Sequence, residues 1–455
     1  MRRFHHIAVS CAVLALVGCA VRGNGPVPQV AQGPALRSAA ARARGAIRWM
    51  HYVRSFTIAQ LGGASSPGLL GTAEEAISAF GGAPKCGVAL YAIDYETVGV
   101  KGEPATASEG FFVPQRGCKG PFTLVGYGQG TNDVKAQKIS DPTSVNIEPQ
   151  ILAAIFAAHG YPVAATDYLG LGYSSYAYQP YLVVNSEASA VIDAMRAARA
   201  AAAELHVRLN GKIFLTGHSQ GGHTALGTQK VIEAQNAAEF NLFADSPSSG
   251  PYALAQSTVG GLDKPGEGAP IYSAYMVTAY NKTYANIYQK AAAIFQSPYA
   301  AYVNDLLPVA TYAQENALNG KTLPLTLTRL YRPSFLRSLR DDPRSGARLD
   351  LQANDLLGGW TPKAPVYLCG GSDDPVVDFE NSIVAYQYLK RRGAKVQLLD
   401  VNSDMPPSVT TSEYHDAVLI LCHTLERVAV LDSPAGRVYR TSWPSALRGP
   451  IGPFR

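Results

Sequence analysis

Residues 87–98 and 106–113 carry alternating apolar positions, with Val88, Leu90 and Ala92 on one face. A turn segment holding Gly102 and Pro104 separates them, and the pattern predicts a β-hairpin. Residues 122–125, 162–166, 213–215, 240–244, 365–369 and 395–400 are short apolar runs with the character of buried strands. Between these runs lie stretches of helical character. One covers residues 150–158, with Pro149 at the first helical position and Gly160 closing it. Others are an Ala-rich stretch over 186–205, then 381–391 and about 414–430. Thr72 followed by Glu75 has the form of a capping box and predicts one more short helix. A hairpin followed by strands alternating with helices predicts an α/β domain around a mostly parallel sheet.

Residues 252–355 interrupt that rhythm. Tyrosines crowd there, among them Tyr272, Tyr275, Tyr280, Tyr284, Tyr288 and Tyr299. Tyr280, Tyr284 and Tyr288 fall at one-turn spacing on a helix. The segment lies between two core strands, so it reads as an inserted helical cap. Two readings of the tyrosines stay open, packing of the cap onto the core and an aromatic wall over a site. The expected organisation is then residues 1–18 as a signal peptide, 19–60 as a tether and N-terminal extension, and 61–251 as the first part of the core. The cap follows over 252–355, the second part of the core over 356–432 and a tail over 433–455.

The N-terminus changes the picture of where the chain works. Arg2 and Arg3 precede an apolar stretch from Ile7 to Val17 that is too short to span a bilayer. It ends in Leu16-Val17-Gly18-Cys19, which resembles a bacterial lipobox and implies Cys19 as the lipid-modified first residue of the mature chain. Ordinary cleavage to a soluble secreted protein is the alternative. The expected location is the cell envelope, on a bacterial membrane with the outer membrane favoured, or outside the cell. Residues 20–45 are rich in Gly, Pro, Ala and Arg and read as a flexible tether. Arg37, Arg42, Arg44 and Arg48 are assigned to a solvated linker rather than to lipid headgroups.

The net charge of +5 includes no dense Lys/Arg cluster, so no nucleic-acid partner is expected. Of six cysteines, Cys11 leaves with the leader and Cys19 is taken by the anchor. An exported chain permits disulfides. Cys86 and Cys118 are symmetric about position 102 in the hairpin turn, which makes them a candidate pair. Cys369 and Cys422 stay unassigned.

The chemistry concentrates in Gly217-His-Ser-Gln-Gly221. An apolar run precedes this stretch and helical character follows it, which is the strand–turn–helix context of a G-x-S-x-G nucleophile elbow. Glycine is abundant at 43 residues, so the pentapeptide alone says little; its context makes Ser219 the candidate nucleophile. The Gln220 N–H beside it is a candidate oxyanion donor. In an elbow fold the acid and then the histidine follow the serine. His415 stands at the mouth of the last helix and is favoured as base over His423, which lies within an apolar helical run. Asp374, followed by Pro375 after the strand at 365–369, is the chosen acid; Asp373 is the alternative and Asp245 a further candidate. Gly126-Tyr-Gly-Gln129-Gly130-Thr131 offers the second oxyanion donor, the Thr131 N–H, with Gln129 where related loops carry histidine. Neither metal-ligand spacing nor a phosphate-cradling loop is seen, so no metal and no cofactor are expected.

Gly-His-Ser-Gln-Gly-Gly222, Gly-Ser-Asp-Asp374-Pro-Val-Val, Asp167-Tyr-Leu-Gly-Leu-Gly172 and Ser-Gly-Pro-Tyr252 together resemble the α/β-hydrolase superfamily, in its secretory lipase and esterase branch. The likeness covers about residues 85–430. It implies an eight-stranded core, an inserted lid and hydrolysis of carboxylic esters, with a small-molecule or lipid ester as substrate. Asp167 matches a recurrent structural turn of the superfamily, and Gln129 departs from its oxyanion loop. The expectation is therefore a lipid-anchored serine esterase. The alternatives are a peptidase on the same fold and a non-catalytic surface binding lipoprotein.

Overall fold

Val88–Val98 (β2) and Pro104–Pro114 (β3) pair antiparallel without a register shift, from Val88 opposite Pro114 to Val98 opposite Pro104. The computed structural model describes residues 43–62, 81–141 and 147–433. The leader, Cys19, the capping box at 72–75 and the tail beyond 433 lie outside the described residues.

The hairpin continues into a nine-stranded sheet of order β1-β2-β3-β5-β4-β6-β7-β8-β9. Its other members are Ile47–Phe56 (β1), Phe122–Gly128 (β4), Val163–Thr166 (β5), Leu209–His218 (β6), Asn241–Ser248 (β7), Val366–Gly370 (β8) and Val396–Asp400 (β9). From β5 through β4 and on to β9 every pairing is parallel. Parallel neighbours bring the carboxyl ends of their strands to one edge, where loops can meet.

The resemblance implied eight strands; β1 is the ninth. It pairs antiparallel along β2 within the stretch read as an N-terminal extension. Arg48 bonds Asp94 on β2 at 3.0 Å, and Arg44 bonds the buried Asp193 at 2.9 Å. These two arginines tie the N-terminal strand to the core, which corrects their reading as part of a solvated linker. β1 lies at the sheet edge with only Phe56 fully buried, so its polar and apolar positions do not alternate cleanly.

Helices cover both faces of the sheet. Glu148–Ile155 (α1) and Tyr414–Glu426 (α6) pack on the face of Leu90, Phe112, Val125 and Phe214. Val184–Glu204 (α2) packs on the face of Ile93, Phe111, Leu124 and Ile213. Its buried alanines, including Ala190, Ala194 and Ala198, let the helix lie close to the sheet. Gln220–Val231 (α3) follows β6, and Glu380–Arg391 (α5) crosses between β8 and β9.

Between β7 and β8 the chain leaves the sheet for a helical segment whose hydrophobic cluster also takes in Val134, Tyr181, Leu182 and Val183 of the core. Ala269–Tyr284 (α4) is its longest helix, and Tyr275, Tyr280, Phe295, Tyr331 and Leu351 are among the buried residues. α4 ends at Tyr284, because Ala285 turns left-handed at φ 58°, so Tyr288 does not share its face. Most of the tyrosines pack: Tyr280 donates to Leu182 O at 3.0 Å and Tyr288 to Asn304 at 2.5 Å. Tyr272 lines a cavity over the sheet edge.

Candidate active site

Ser219 sits between β6 and α3 at φ 59° and ψ −121°. A serine in this strained region is held there by its surroundings, and strain of this kind gathers at functional sites. Its N–H donates to Ser248 O at 2.9 Å, tying the turn to the end of β7. The glycines of the motif are steric necessities. A Cβ on Gly221 would stand 1.9 Å from Gly128 O, and one on Gly217 would stand 2.4 Å from Gly221 O. Strand, helix and the β4 end can meet this closely only without side chains.

His415 is at the second position of α6, and its Nδ1 lies 2.7 Å from Asp374 Oδ2 and 3.0 Å from Oδ1. Asp374 Oδ1 also accepts the N–H groups of Val376 and Val377, so the turn after β8 fixes the carboxylate. The His415 ring packs on His218, the residue before Ser219, with ring centroids 4.4 Å apart. An Nδ1–H donated to a carboxylate leaves the Nε2 lone pair available as a base. That Nε2 is buried and has no partner among the described residues. Burial and the neighbouring His415 hold the His218 ring well below the usual histidine range, which favours its neutral form. Ser219 and Asp374 line one cavity of about 800 Å³ together with Gln220 and Thr131.

A relative of known structure combines with this geometry. The esterase LipA from Xanthomonas oryzae, described as a rice cell wall degrading esterase, is 35% identical, with a TM-score of 0.77 over 86% of this chain and 99% of its own. The chain belongs to the α/β-hydrolase esterase and lipase family. A putative hydrolase from Legionella pneumophila matches 85% of this chain and 99% of its own at TM-score 0.71 and 20% identity. Candida antarctica lipase A in its closed state matches 79% of this chain and 77% of its own at TM-score 0.55 and 15% identity. At such identities these two speak for the fold alone. No family model and no curated protein matches the chain.

For a member of this family the remaining candidates sort cleanly. Asp373 is exposed, and its N–H faces the Tyr414 hydroxyl at 3.4 Å. Asp245 lies within β7 opposite Leu215, fully buried, and burial pushes its carboxyl well above the usual range. The carboxylate hydrogen-bonded to His415 is that of Asp374. His423 is buried under the sheet between the Tyr127 hydroxyl at 3.2 Å and Glu426 at 2.9 Å. Asp167 accepts from Ser108 at 2.6 Å and from the Ile139 N–H at 2.7 Å, a structural turn as the resemblance implied. Gln129 donates to Asp167 O at 2.9 Å, so it braces that turn. The N–H groups of Thr131 and Gln220 donate to no acceptor among the described residues.

Two disulfides form among the described residues. Cys86 pairs with Cys118, as the hairpin symmetry suggested, and Cys369 pairs with Cys422. The second was not read from the sequence. An open hollow of about 920 Å³ lies at the opposite edge of the sheet, beside Arg199, Glu233 and Phe240. It touches none of the candidate site residues.

Proposed function

We propose that this protein hydrolyses carboxylic esters as a serine esterase, with Ser219 as nucleophile, His415 as general base and Asp374 as its orienting acid. The observation that carries the reading is the Asp374–His415 pair set against the elbow that holds Ser219 at positive φ. Ser219 Oγ attacks the ester carbonyl while His415 Nε2 takes its proton, then returns it to the leaving alcohol. The free N–H groups of Gln220 and Thr131 receive the charge that forms on the carbonyl oxygen. Water then cleaves the acyl-enzyme by the same base. Leu254, Met276, Phe335 and Leu339 on the inserted segment give the cavity an apolar wall suited to an acyl group. The likeness to LipA makes cell-wall esters the natural class to try beside simple ones. The Leu16–Cys19 motif supports lipid anchoring in a bacterial envelope, which radiolabelled palmitate incorporation lost in Cys19→Ala would test.

The test of the activity is hydrolysis of nitrophenyl esters of increasing acyl length by wild type and Ser219→Ala. The variant folds and loses about 10⁴ to 10⁶ of kcat. Near wild-type hydrolysis by the variant would overturn the reading.

A further inference from the structure

Glu187, in the first turn of α2, is 2% exposed and has no place in the triad. Its two oxygens reach three residues, two of them on α3. Oε1 accepts the Gln220 Nε2 at 2.6 Å and the Leu182 N–H at 2.9 Å. Oε2 faces His223 Nδ1 at 3.0 Å, and His223 Nε2 faces Asn354 O at 3.1 Å. A carbonyl oxygen only accepts, so Nε2 carries a proton. His223 thus bridges Glu187 Oε2 and the Asn354 carbonyl.

These contacts lead to both oxyanion donors. Gln220 is tied directly through its side chain. Thr131 is tied through Leu182: the Glu187 bond and the Tyr280 hydroxyl on the Leu182 carbonyl hold this residue at φ 56°, a conformation that side chains rarely adopt. Leu182 thereby sets Tyr181, whose hydroxyl meets Thr131 Oγ1 at 2.9 Å and whose ring stacks on Tyr275 of α4 at 4.6 Å. On the far side, His223 reaches Asn354 at the return of the inserted segment. The Asn354 side chain accepts the Val184 N–H at 3.0 Å and donates to the Tyr284 hydroxyl at 2.9 Å.

We propose that Glu187 is a positioning residue that sets the Gln220 and Thr131 amides at one spacing and couples them to the inserted helical segment. The inference rests on the serine-esterase reading. A carboxylate buried at a helix start is otherwise a costly choice, and here every contact it makes leads to the oxyanion site or to the root of the cap.

The test compares Glu187→Met, which removes the acceptors, with Glu187→Gln. The glutamine carbonyl can still accept from Leu182 and Gln220, and its amide can donate to a neutral His223. Glu187→Met is expected to lose about 10²-fold in kcat, the worth of one oxyanion donor, with KM little changed. Its inhibition constant for a phenylboronic acid, whose serine adduct places an oxygen in the same site, should rise in parallel. Glu187→Gln should stay within about tenfold of wild type. Wild-type kcat and boronate affinity in Glu187→Met overturn the proposal, and so does equal damage in the two variants. Should Glu187→Met fail to fold, Gln220→Leu and Tyr181→Phe each cut one tether and should each lower kcat about tenfold at unchanged KM. Wild-type kcat in both overturns it as well. Ser219→Ala measured alongside separates the failures. Turnover by Ser219→Ala sinks the esterase reading, whereas an inactive Ser219→Ala beside a fully active Glu187→Met sinks only the positioning.

Discussion

Cys369, on β8, is disulfide-bonded to Cys422, in α6, across 53 residues of sequence. The strand that leads into the Asp374 turn and the helix that carries His415 are therefore one covalent unit. The other disulfide joins Cys86 to Cys118 at the sheet edge away from Ser219, where Val88 pairs with Pro114. Loop closure makes each bond worth about 4 kcal/mol of stability. Replacing either pair by alanines should thus lower stability by a similar amount. Loss of the Cys369–Cys422 pair should also lower kcat several-fold, because His415 and Asp374 lose their common anchor. Denaturant unfolding and kcat measured on both double variants check this, and equal loss of kcat in the two would contradict it.

The two late histidines should separate sharply. His415→Ala is expected to abolish turnover at near wild-type stability. His423→Ala should keep most activity but lose about 1–3 kcal/mol, because Tyr127 and Glu426 lose a buried partner. Asp374→Asn should fall with His415→Ala, by about 10⁴ in kcat. Melting temperature and kcat on a short-chain ester for all three variants decide the matter, and an inactive His423→Ala would contradict the assignment.

Burial pushes the Asp167 carboxyl up to about 6, while the Ser108 hydroxyl and the Ile139 N–H pull it partly back. The folded protein therefore holds this proton more tightly than the unfolded chain does. The resulting stability is full below about pH 4 and is lost as pH rises through about 6; two pKa units correspond to about 3 kcal/mol. Asp167→Asn stays neutral throughout and should lack that slope. Urea unfolding of both proteins at pH 4 and pH 7.5 measures it, and parallel profiles would contradict the account.

What was legible in the sequence is what local pattern encodes. The hairpin pairs around the predicted turn, and Ser219 stands where strand, tight turn and helix meet. Gly160 closes the first helical stretch at φ 93°, as its position after residues 150–158 suggested. β1 was missed because an edge strand with Arg48, His51 and Arg54 on exposed positions has no clean alternation. Asp373 stands beside Asp374 as an alternative in the sequence because only the turn decides which carboxylate is buried. Cys369 with Cys422, and Glu187 with Gln220 and Leu182, are tertiary relationships. In sequence Glu187 is simply an acid at the start of an Ala-rich helix, and nothing local marks its burial.

The central claim is that Ser219 is the nucleophile of an esterase. Treating the protein with a fluorophosphonate and mapping the adduct by peptide mass spectrometry tests it most directly. One phosphonyl group on Ser219, with loss of ester hydrolysis in step with labelling and no labelling of His415→Ala on the same timescale, is the expected result. An adduct on another residue, or full ester hydrolysis by a protein labelled at Ser219, would contradict it.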